Sequence, residues 1–145
     1  LLALSDVQRL QNFTHHKHGT RLEHVIQVSY KSYCVAKFLH ADYVSVARAG
    51  ILHDLYFIQG HYRTDRHGHA YWHPRIALIN AQRITSINPI EADIILKHMY
   101  GSTSGRPKYI ESWIVNLVDD VQAFDDFVTP VEFKFQCQCA RLFYN

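Results

Sequence analysis

The sequence predicts an all-α fold, a compact single-domain helical bundle that spans residues 1–145. Three observations support this prediction. Apolar residues recur at helical spacing along most of the chain, and no segment before the last dozen residues alternates apolar and polar residues as a strand does. Several of these segments follow residues that typically begin helices. The length of 145 residues suits one domain with its own hydrophobic core.

The N-terminal part of the chain is predicted to form a short helix followed by a long one. The short helix covers about Ser5 to Phe13. The stretch Thr20-Arg21-Leu22-Glu23 has the form of a capping box and begins a helix that extends to about Leu39. Cys34 belongs to this helix and is predicted to be a core thiol. The apolar stripe of the helix consists of small and aliphatic residues: Val25, Val28, Ser29, Ser32, Val35, Ala36 and Leu39.

A central helix and a long loop follow. Asp42 can cap a helix from about Tyr43 to His53, and because this segment is largely apolar we expect it to lie in the middle of the bundle. Residues 55–72 contain two glycines and many polar groups without a clear period. This length and composition predict a loop with a functional role, such as a lid over a site.

Two further helices are predicted to begin at prolines. Pro74 follows His73, and a proline fits the first position of a helix because its missing N–H has no partner there. Asn88-Pro89 repeats this arrangement, with Glu91 near the third helical position. One face of this second helix carries Ile90, Ile94, Ile95 and His98.

The C-terminal part predicts a loop, a helix and a tail. Residues 101–107 are rich in glycine, serine and proline and form the loop. The last main helix covers about Glu111 to Phe127. The tail, residues 129–145, is compatible with either a strand or a helix.

Composition excludes several classes of protein. Hydrophobic residues make up 48% and charged residues 19%, as in ordinary globular domains. The net charge of +2 is too small to indicate a nucleic-acid polymer or an anionic membrane as a partner. No apolar run approaches the roughly 20 residues that span a bilayer. The three cysteines form no disulfide framework, and no signal peptide is recognisable, so we expect a cytoplasmic protein. The Cys137-Gln138-Cys139 pair could bind a metal, but two thiolates near a terminus are only a weak signal for such a site.

The distribution of histidines and carboxylates predicts a metal centre. Of the 11 histidines, several lie on buried helical faces or at helix ends, and carboxylates accompany them. Without a metal, each of these side chains would need its own partner in the interior, whereas one metal cluster satisfies them all. A donor set without thiolates favours Mn, Fe, Co, Ni or Zn over Ca. The set comprises His24, His53, Asp54, His73, His98 and one of Asp119 and Asp120.

The order of these residues resembles the HD-domain superfamily of metal-dependent phosphohydrolases. The matching segments are TRLEH (His24), ILHD (His53 and Asp54), WHP (His73), KHM (His98) and LVDD (Asp119), in the order H…HD…H…H…D from about His15 to Phe127. The segments WHP, KHM and ESWIVNLVD are also similar to those of small uncharacterised bacterial members. The resemblance implies a helical fold with one or two divalent transition metal ions between the helices.

The resemblance also implies a role for each ligand. One ion would be held by His24, His53, Asp54 and Asp119. Asp54 would bridge to a second ion that His73 and His98 also hold, and His53 and Asp54 would form the catalytic core. Such a pair of ions can activate water near neutral pH and neutralise charge on a phosphoryl group.

Two ligand positions have alternatives. Helical periodicity in WIVNLVDDVQAF places Asp120 slightly nearer the stripe of Trp113, Leu117, Val121 and Phe124, whereas the resemblance favours Asp119. His69 is an alternative to His73.

Three basic residues are predicted to bind substrate. Arg21 precedes His24 by three residues, so it lies on the same side of the helix and could hold a phosphate with two hydrogen bonds. Arg75 follows His73, and Lys108 borders the loop after His98. Phe57 stands where many related hydrolases have a lysine, which indicates a less charged or partly apolar substrate.

The sequence therefore predicts a hydrolase of phosphomonoesters or phosphodiesters, with a small phosphorylated molecule such as a nucleotide as its substrate. A di-iron oxygenase with the same ligand set is the first alternative, because the superfamily that this chain resembles includes such enzymes. A non-catalytic module that binds a metal or a nucleotide is the second.

Overall fold

The computed structural model describes residues 1–14, 19–57, 68–101 and 105–128, with side chains through Gln122. Helices dominate these ranges and no β-strand occurs in them, so the predicted all-α fold is confirmed. The tail at 129–145, its two cysteines and most of the predicted lid loop lie outside the described residues. The elements are α1 (Ser5–Gln8), a 3-10 helix (Arg9–Asn12), α2 (Arg21–Phe38), α3 (Tyr43–Leu52), α4 (His69–Ile84), α5 (Pro89–Lys97) and α6 (Ile110–Val128).

The predicted helix caps of α2 and α5 are confirmed. Thr20 Oγ1 accepts a hydrogen bond from the Glu23 N–H at 3.2 Å, and Glu23 Oε2 accepts one from the Thr20 N–H at 2.7 Å. Asn88 and Glu91 form the same reciprocal pair at the start of α5, at 2.8 and 2.9 Å. Each box satisfies two backbone donors that a helix N-terminus leaves without partners. The sequence therefore sets where these two helices begin.

Helix α3 lies at the centre of the bundle, as its apolar composition predicts. It contacts α2, α4, α5 and α6, while α2 also packs on α6, and α5 on both α4 and α6. Within the described helices, none has the length and apolar character needed to cross a membrane. The core between the helices is made of buried aliphatic side chains, among them Val25, Val28, Val46, Leu52, Ala77, Ile94, Ile95 and Val115.

Helices α2 and α3 approach each other closely at Gly50. A Cβ atom at this position would lie 2.7 Å from the Ser29 Cα, so only glycine allows the observed spacing. Ser29 Oγ donates a hydrogen bond to the Ala47 carbonyl at 2.7 Å across the same contact. The contact holds α2 and α3 at the spacing from which their histidines meet.

Helix α4 begins one turn earlier than predicted. It starts at His69, so Pro74 lies inside the helix and the predicted start at His73 is wrong. Gly68 adopts a φ of 71°, which turns the chain into the helix before His69. At this interior position the proline removes one backbone hydrogen bond and its ring crowds the Ala70 carbonyl, a cost of about 3 kcal/mol that the packing of α4 on α5 and α3 must offset. This extra turn places His69 one turn before His73.

Two predicted apolar faces are wrong in part. On α6, Leu117 and Val121 are exposed by 65% and 57%, and the buried face instead carries Ser112, Asn116 and Gln122. Polar residues can line the buried face of α6 because each has a partner there. Ser112 Oγ donates to Asp93 Oδ2, Asn116 Nδ2 donates to the His98 carbonyl, and Gln122 Oε1 accepts from Lys31 Nζ.

On α2, Cys34 is exposed, so it is not a core thiol. Val35 and Leu39, expected in the apolar stripe of α2, are also exposed.

Candidate metal centre

The predicted ligands meet in the interior, where the ends of α3 and α5 face α2, α4 and α6. His24, His53, Asp54, His73 and His98 are each at most 6% exposed. Their burial is not compatible with a solvated role for these side chains. Such polar groups are stable in the interior only when each has a partner.

His53 and His98 are oriented by the same backbone contact. His53 follows the last residue of α3, and its Nδ1 lies 2.9 Å from the carbonyl oxygen of Gly50. His98 follows the last residue of α5, and its Nδ1 lies 2.8 Å from the carbonyl oxygen of Ile95. A carbonyl can only accept, so Nδ1 carries the proton in both rings. In the neutral form of each ring the lone pair is then on Nε2. This is the arrangement by which proteins orient histidines that ligate metals.

Asp119 joins α6 to two of the histidines. Its Oδ1 lies 2.9 Å from His24 Nε2 and 3.6 Å from His53 Nε2. The ligand atoms of these three residues lie within 4.8 Å of one another, which is close enough for one ion to bind all three. Asp120, the alternative at this position, is exposed. The geometry thus groups Asp119, and not Asp120, with the histidines.

Asp54 and His73 form a second pair beside this triad. Asp54 Oδ1 lies 2.8 Å from His73 Nε2. The His98 ring lies between the two groups, with its centroid 5.0 Å from that of His53 and 5.1 Å from that of His73. All six predicted ligands therefore belong to one contiguous cluster, contributed by α2, α4, α6 and the ends of α3 and α5.

The cluster keeps its carboxylates ionised. Burial alone would raise the pKa of Asp119, but the adjacent His53 and His24 imidazoles hold it well below its usual range. Asp54 behaves in the same way: burial opposes ionisation, and the hydrogen bond from His73, with the charges of His73, His53 and Arg21, lowers its pKa below the usual value. Ionised carboxylates are the form that binds a cation.

The His98 imidazole is kept neutral. Burial lowers its pKa to about 3, and repulsion from His53 and His73 acts in the same direction, while Asp119 and the Ile95 carbonyl oppose the shift. A neutral imidazole with its proton on Nδ1 offers Nε2 as a donor to a metal ion.

The basic residues predicted to bind substrate lie in different settings. Arg21 is only 9% exposed and is engaged by Asp54 and the Tyr56 carbonyl. Arg75 donates to the Tyr71 carbonyl at 2.7 Å and stacks on the Tyr71 ring. Lys108 has an exposed side chain, and its backbone N–H donates to Asp93. A role in substrate binding stays a prediction for all three.

Sequence reasoning missed two residues that support the centre. Tyr56 is 2% exposed, and its ring packs edge-on against those of His73 and His69, at 4.7 and 5.6 Å between centroids. Asn116 holds the last turn of α5 through the His98 carbonyl. Asn116 precedes Asp119 by three residues, so the spacing of polar residues along α6 is the signal that could have revealed it. Tyr56 has no such signal, because its position depends on how α4 packs.

No protein-family model, no curated protein and no solved structure matches this chain. The fold and the site by themselves define a class: an all-α protein with a buried cluster of histidines and aspartates that can hold a metal ion.

Proposed function

We propose that this protein is a metal-dependent phosphohydrolase that cleaves a phosphomonoester or phosphodiester. The observation that carries the proposal is the triad of the buried His24 and His53 with the half-buried Asp119, whose ligand atoms lie within 4.8 Å of one another. Asp54, His73 and His98 adjoin this triad. The resemblance in ligand order provides the reaction class.

The donor set fits one or two divalent transition metal ions. It consists of imidazoles and carboxylates without thiolates, which suits Mn, Fe, Co, Ni or Zn. The hydrogen bonds from His53 Nδ1 and His98 Nδ1 to backbone carbonyls leave the opposite ring nitrogens available as donors. His24, His53 and Asp119 would hold the first ion. A second ion would use His73, His98 and Asp54.

The side chains around the ion have separate tasks. A bound divalent ion supplies Lewis acidity, which lowers the pKa of water and polarises the phosphoryl oxygens. With only three protein ligands, such an ion would also be able to bind water and substrate. If only the first ion is bound, the hydrogen-bonded pair of Asp54 and His73 beside the triad would be available to take up a proton from water. The buried walls around the cluster limit the access of bulk water, which strengthens the electrostatic interactions inside.

A panel of phosphoesters tests the proposal. Metal-free protein is loaded with Mn²⁺, Fe²⁺, Co²⁺, Ni²⁺ or Zn²⁺ and assayed for release of phosphate or of the alcohol from nucleotides, sugar phosphates and aryl phosphodiesters. We expect at least one ion to give turnover that Asp119→Asn abolishes and Asp120→Asn retains. Absence of turnover over the whole panel, with the ion bound, would reject the proposal in favour of a module that uses metal for stability or ligand binding.

One observation favours a second function. Two imidazoles and one carboxylate with open positions are also the ligand set of non-haem iron oxygenases, and the triad has this composition. An oxygenase would purify with iron and consume oxygen in the presence of its substrate. A hydrolase would release phosphate equally well without oxygen and with Mn²⁺ in place of iron.

A further inference from the structure

Arg21 is held firmly beside the metal centre. It is the first residue of α2, and its backbone N–H donates to the Phe13 carbonyl at 2.8 Å. Its guanidinium donates through Nη1 to the Tyr56 carbonyl and lies 5.3 and 5.6 Å from the centroids of the Phe13 and Tyr56 rings. These contacts fix the guanidinium on the inner side of the helix, away from solvent.

This guanidinium faces the carboxylate that the resemblance assigns to both ions. Arg21 Nε lies 3.1 Å from Asp54 Oδ2, and both side chains of the pair are about nine-tenths buried. The other oxygen, Oδ1, lies 2.8 Å from His73 Nε2. Oδ1 of Asp54 therefore accepts a hydrogen bond from His73, and Oδ2 lies in a charge contact with Arg21. Among the described residues, the group of ligand atoms within 4.8 Å of one another contains His24, His53 and Asp119 without Asp54.

A guanidinium and a divalent ion compete for the same carboxylate. A buried arginine cannot lose its proton, so its charge stays in place and repels a cation that approaches Asp54. A second ion at Asp54, His73 and His98 would need to displace this contact or bind against its repulsion.

We infer that Arg21 takes the place of a second cation and that the protein binds one ion tightly, at His24, His53 and Asp119. Arg21 is then a positioning residue, which holds Asp54 toward His73 and away from coordination. The inference rests on the proposed metal centre and deepens it by assigning the number of ions and a role to Arg21 other than phosphate binding.

Equilibrium dialysis of metal-free protein against Co²⁺, with elemental analysis of the bound ion, tests the inference. We expect the wild type to bind one ion tightly and a second one weakly, and Arg21→Met to bind the second ion at least about tenfold more tightly, because a like charge has been removed. Arg48→Met is the matched control: it removes another guanidinium that faces a carboxylate, that of Glu91, and should leave both affinities unchanged. A purely structural role for Arg21 would not raise the affinity for a second ion.

Two results overturn the inference. The first is a wild type that binds two ions with similar affinity. The second is a folded Arg21→Met protein that binds the second ion no more tightly than the wild type does.

If Arg21→Met does not fold, the Asp54→Asn variant tests whether Asp54 is a ligand of the tightly bound ion. If Arg21 keeps Asp54 out of coordination, this variant still binds one ion with an affinity within about threefold of the wild type, since a lost ligand would cost about tenfold or more. Loss of the tight ion in Asp54→Asn shows that Asp54 is a ligand and overturns the inference. Ion counts decide this question without turnover, so failure of the inference and failure of the proposed hydrolase activity are separate results.

Discussion

A carboxylate that faces two imidazoles, as Asp119 does, is a different chemical group from its neighbour in the sequence. Asp119 contacts His24 and His53 in the interior, whereas Asp120 is exposed. The nearby histidines hold the pKa of Asp119 well below its usual value despite burial. Rotation by one residue along α6, about 100° around the helix axis, separates a candidate ligand from a solvated side chain.

The pair of aspartates gives the sharpest prediction for metal binding. We expect Asp119→Asn to weaken the tight Co²⁺ or Mn²⁺ site by at least about a hundredfold, because one of three protein ligands and its negative charge are lost. Asp120→Asn removes the same charge one residue away and should change the affinity by less than about threefold, since exposed charges interact weakly in water. Isothermal titration of both variants measures the difference. Equal losses in the two variants would contradict the assignment of Asp119.

The neutral His98 predicts how the metal-free protein responds to acid. The folded-state pKa of His98 is about 3 and its ordinary value is 6.5, so between these values the unfolded chain binds a proton that the folded chain does not. The free energy of unfolding must therefore fall as the pH drops through this window, by up to about 1.4 kcal/mol per unit. Urea unfolding of metal-free protein between pH 7.5 and 5 measures this slope.

Two histidine variants provide the control for this slope. His98→Gln should flatten the dependence on pH, whereas His40→Gln, which changes an exposed residue, should keep it. Identical slopes in the wild type and in His98→Gln would show that His98 does not cause the dependence.

The helices are positioned by a few close contacts as much as by their apolar faces. Capping boxes begin α2 and α5 where the sequence predicts, because the bonds involved are local. Gly50 sets the distance between α2 and α3, and this distance depends on a contact 21 residues away in the chain. On α4, Gly68 and Pro74 together give a start that the proline rule alone does not predict.

Substitution of Gly50 tests the close contact of α2 and α3. Alanine favours helices over glycine by about 1 kcal/mol, yet we expect Gly50→Ala to destabilise the fold by about 3 kcal/mol, because the added methyl group would force the helices apart. Gly101→Ala is the control: its φ of 96° strains an alanine, but no atom lies within 4 Å of the added Cβ. It should cost only about 1–2 kcal/mol. A stabilised Gly50→Ala protein would show that the helices can separate without cost.

The candidate ligand cluster joins elements that are distant in the chain. Residues from α2, α4 and α6 and from the ends of α3 and α5 converge on it, so it forms only when the bundle has folded. An ion that binds only the folded state stabilises that state by mass action. An ion held by His24, His53 and Asp119 would act as a cross-link between α2, the end of α3 and α6.

Metal removal should therefore lower the stability of the whole domain. The free energy of unfolding of a chelator-treated sample should rise by about 2.7 kcal/mol when the ion is restored at a concentration of a hundred times its Kd. Thermal unfolding with and without Co²⁺ or Mn²⁺ measures the gain as a rise in Tm. The Asp119→Asn variant should show little of this rise, while Asp120→Asn should show all of it; an equal rise in both variants would mean that the ion binds elsewhere.

Local chemistry in the sequence determined the helical class, the caps at Thr20 and Asn88 and the identity of the polar residues that need a partner. These features depend on residues three or four positions apart, so they can be inferred without knowledge of the fold. Tertiary packing decided the start of α4, the polar buried face of α6, the position of Asp119 rather than Asp120 beside the histidines, and the pairing of Arg21 with Asp54. Each of these depends on how a helix is rotated against its neighbours. That rotation is set by which buried polar groups find partners on other helices, and no single segment of the sequence determines those partners.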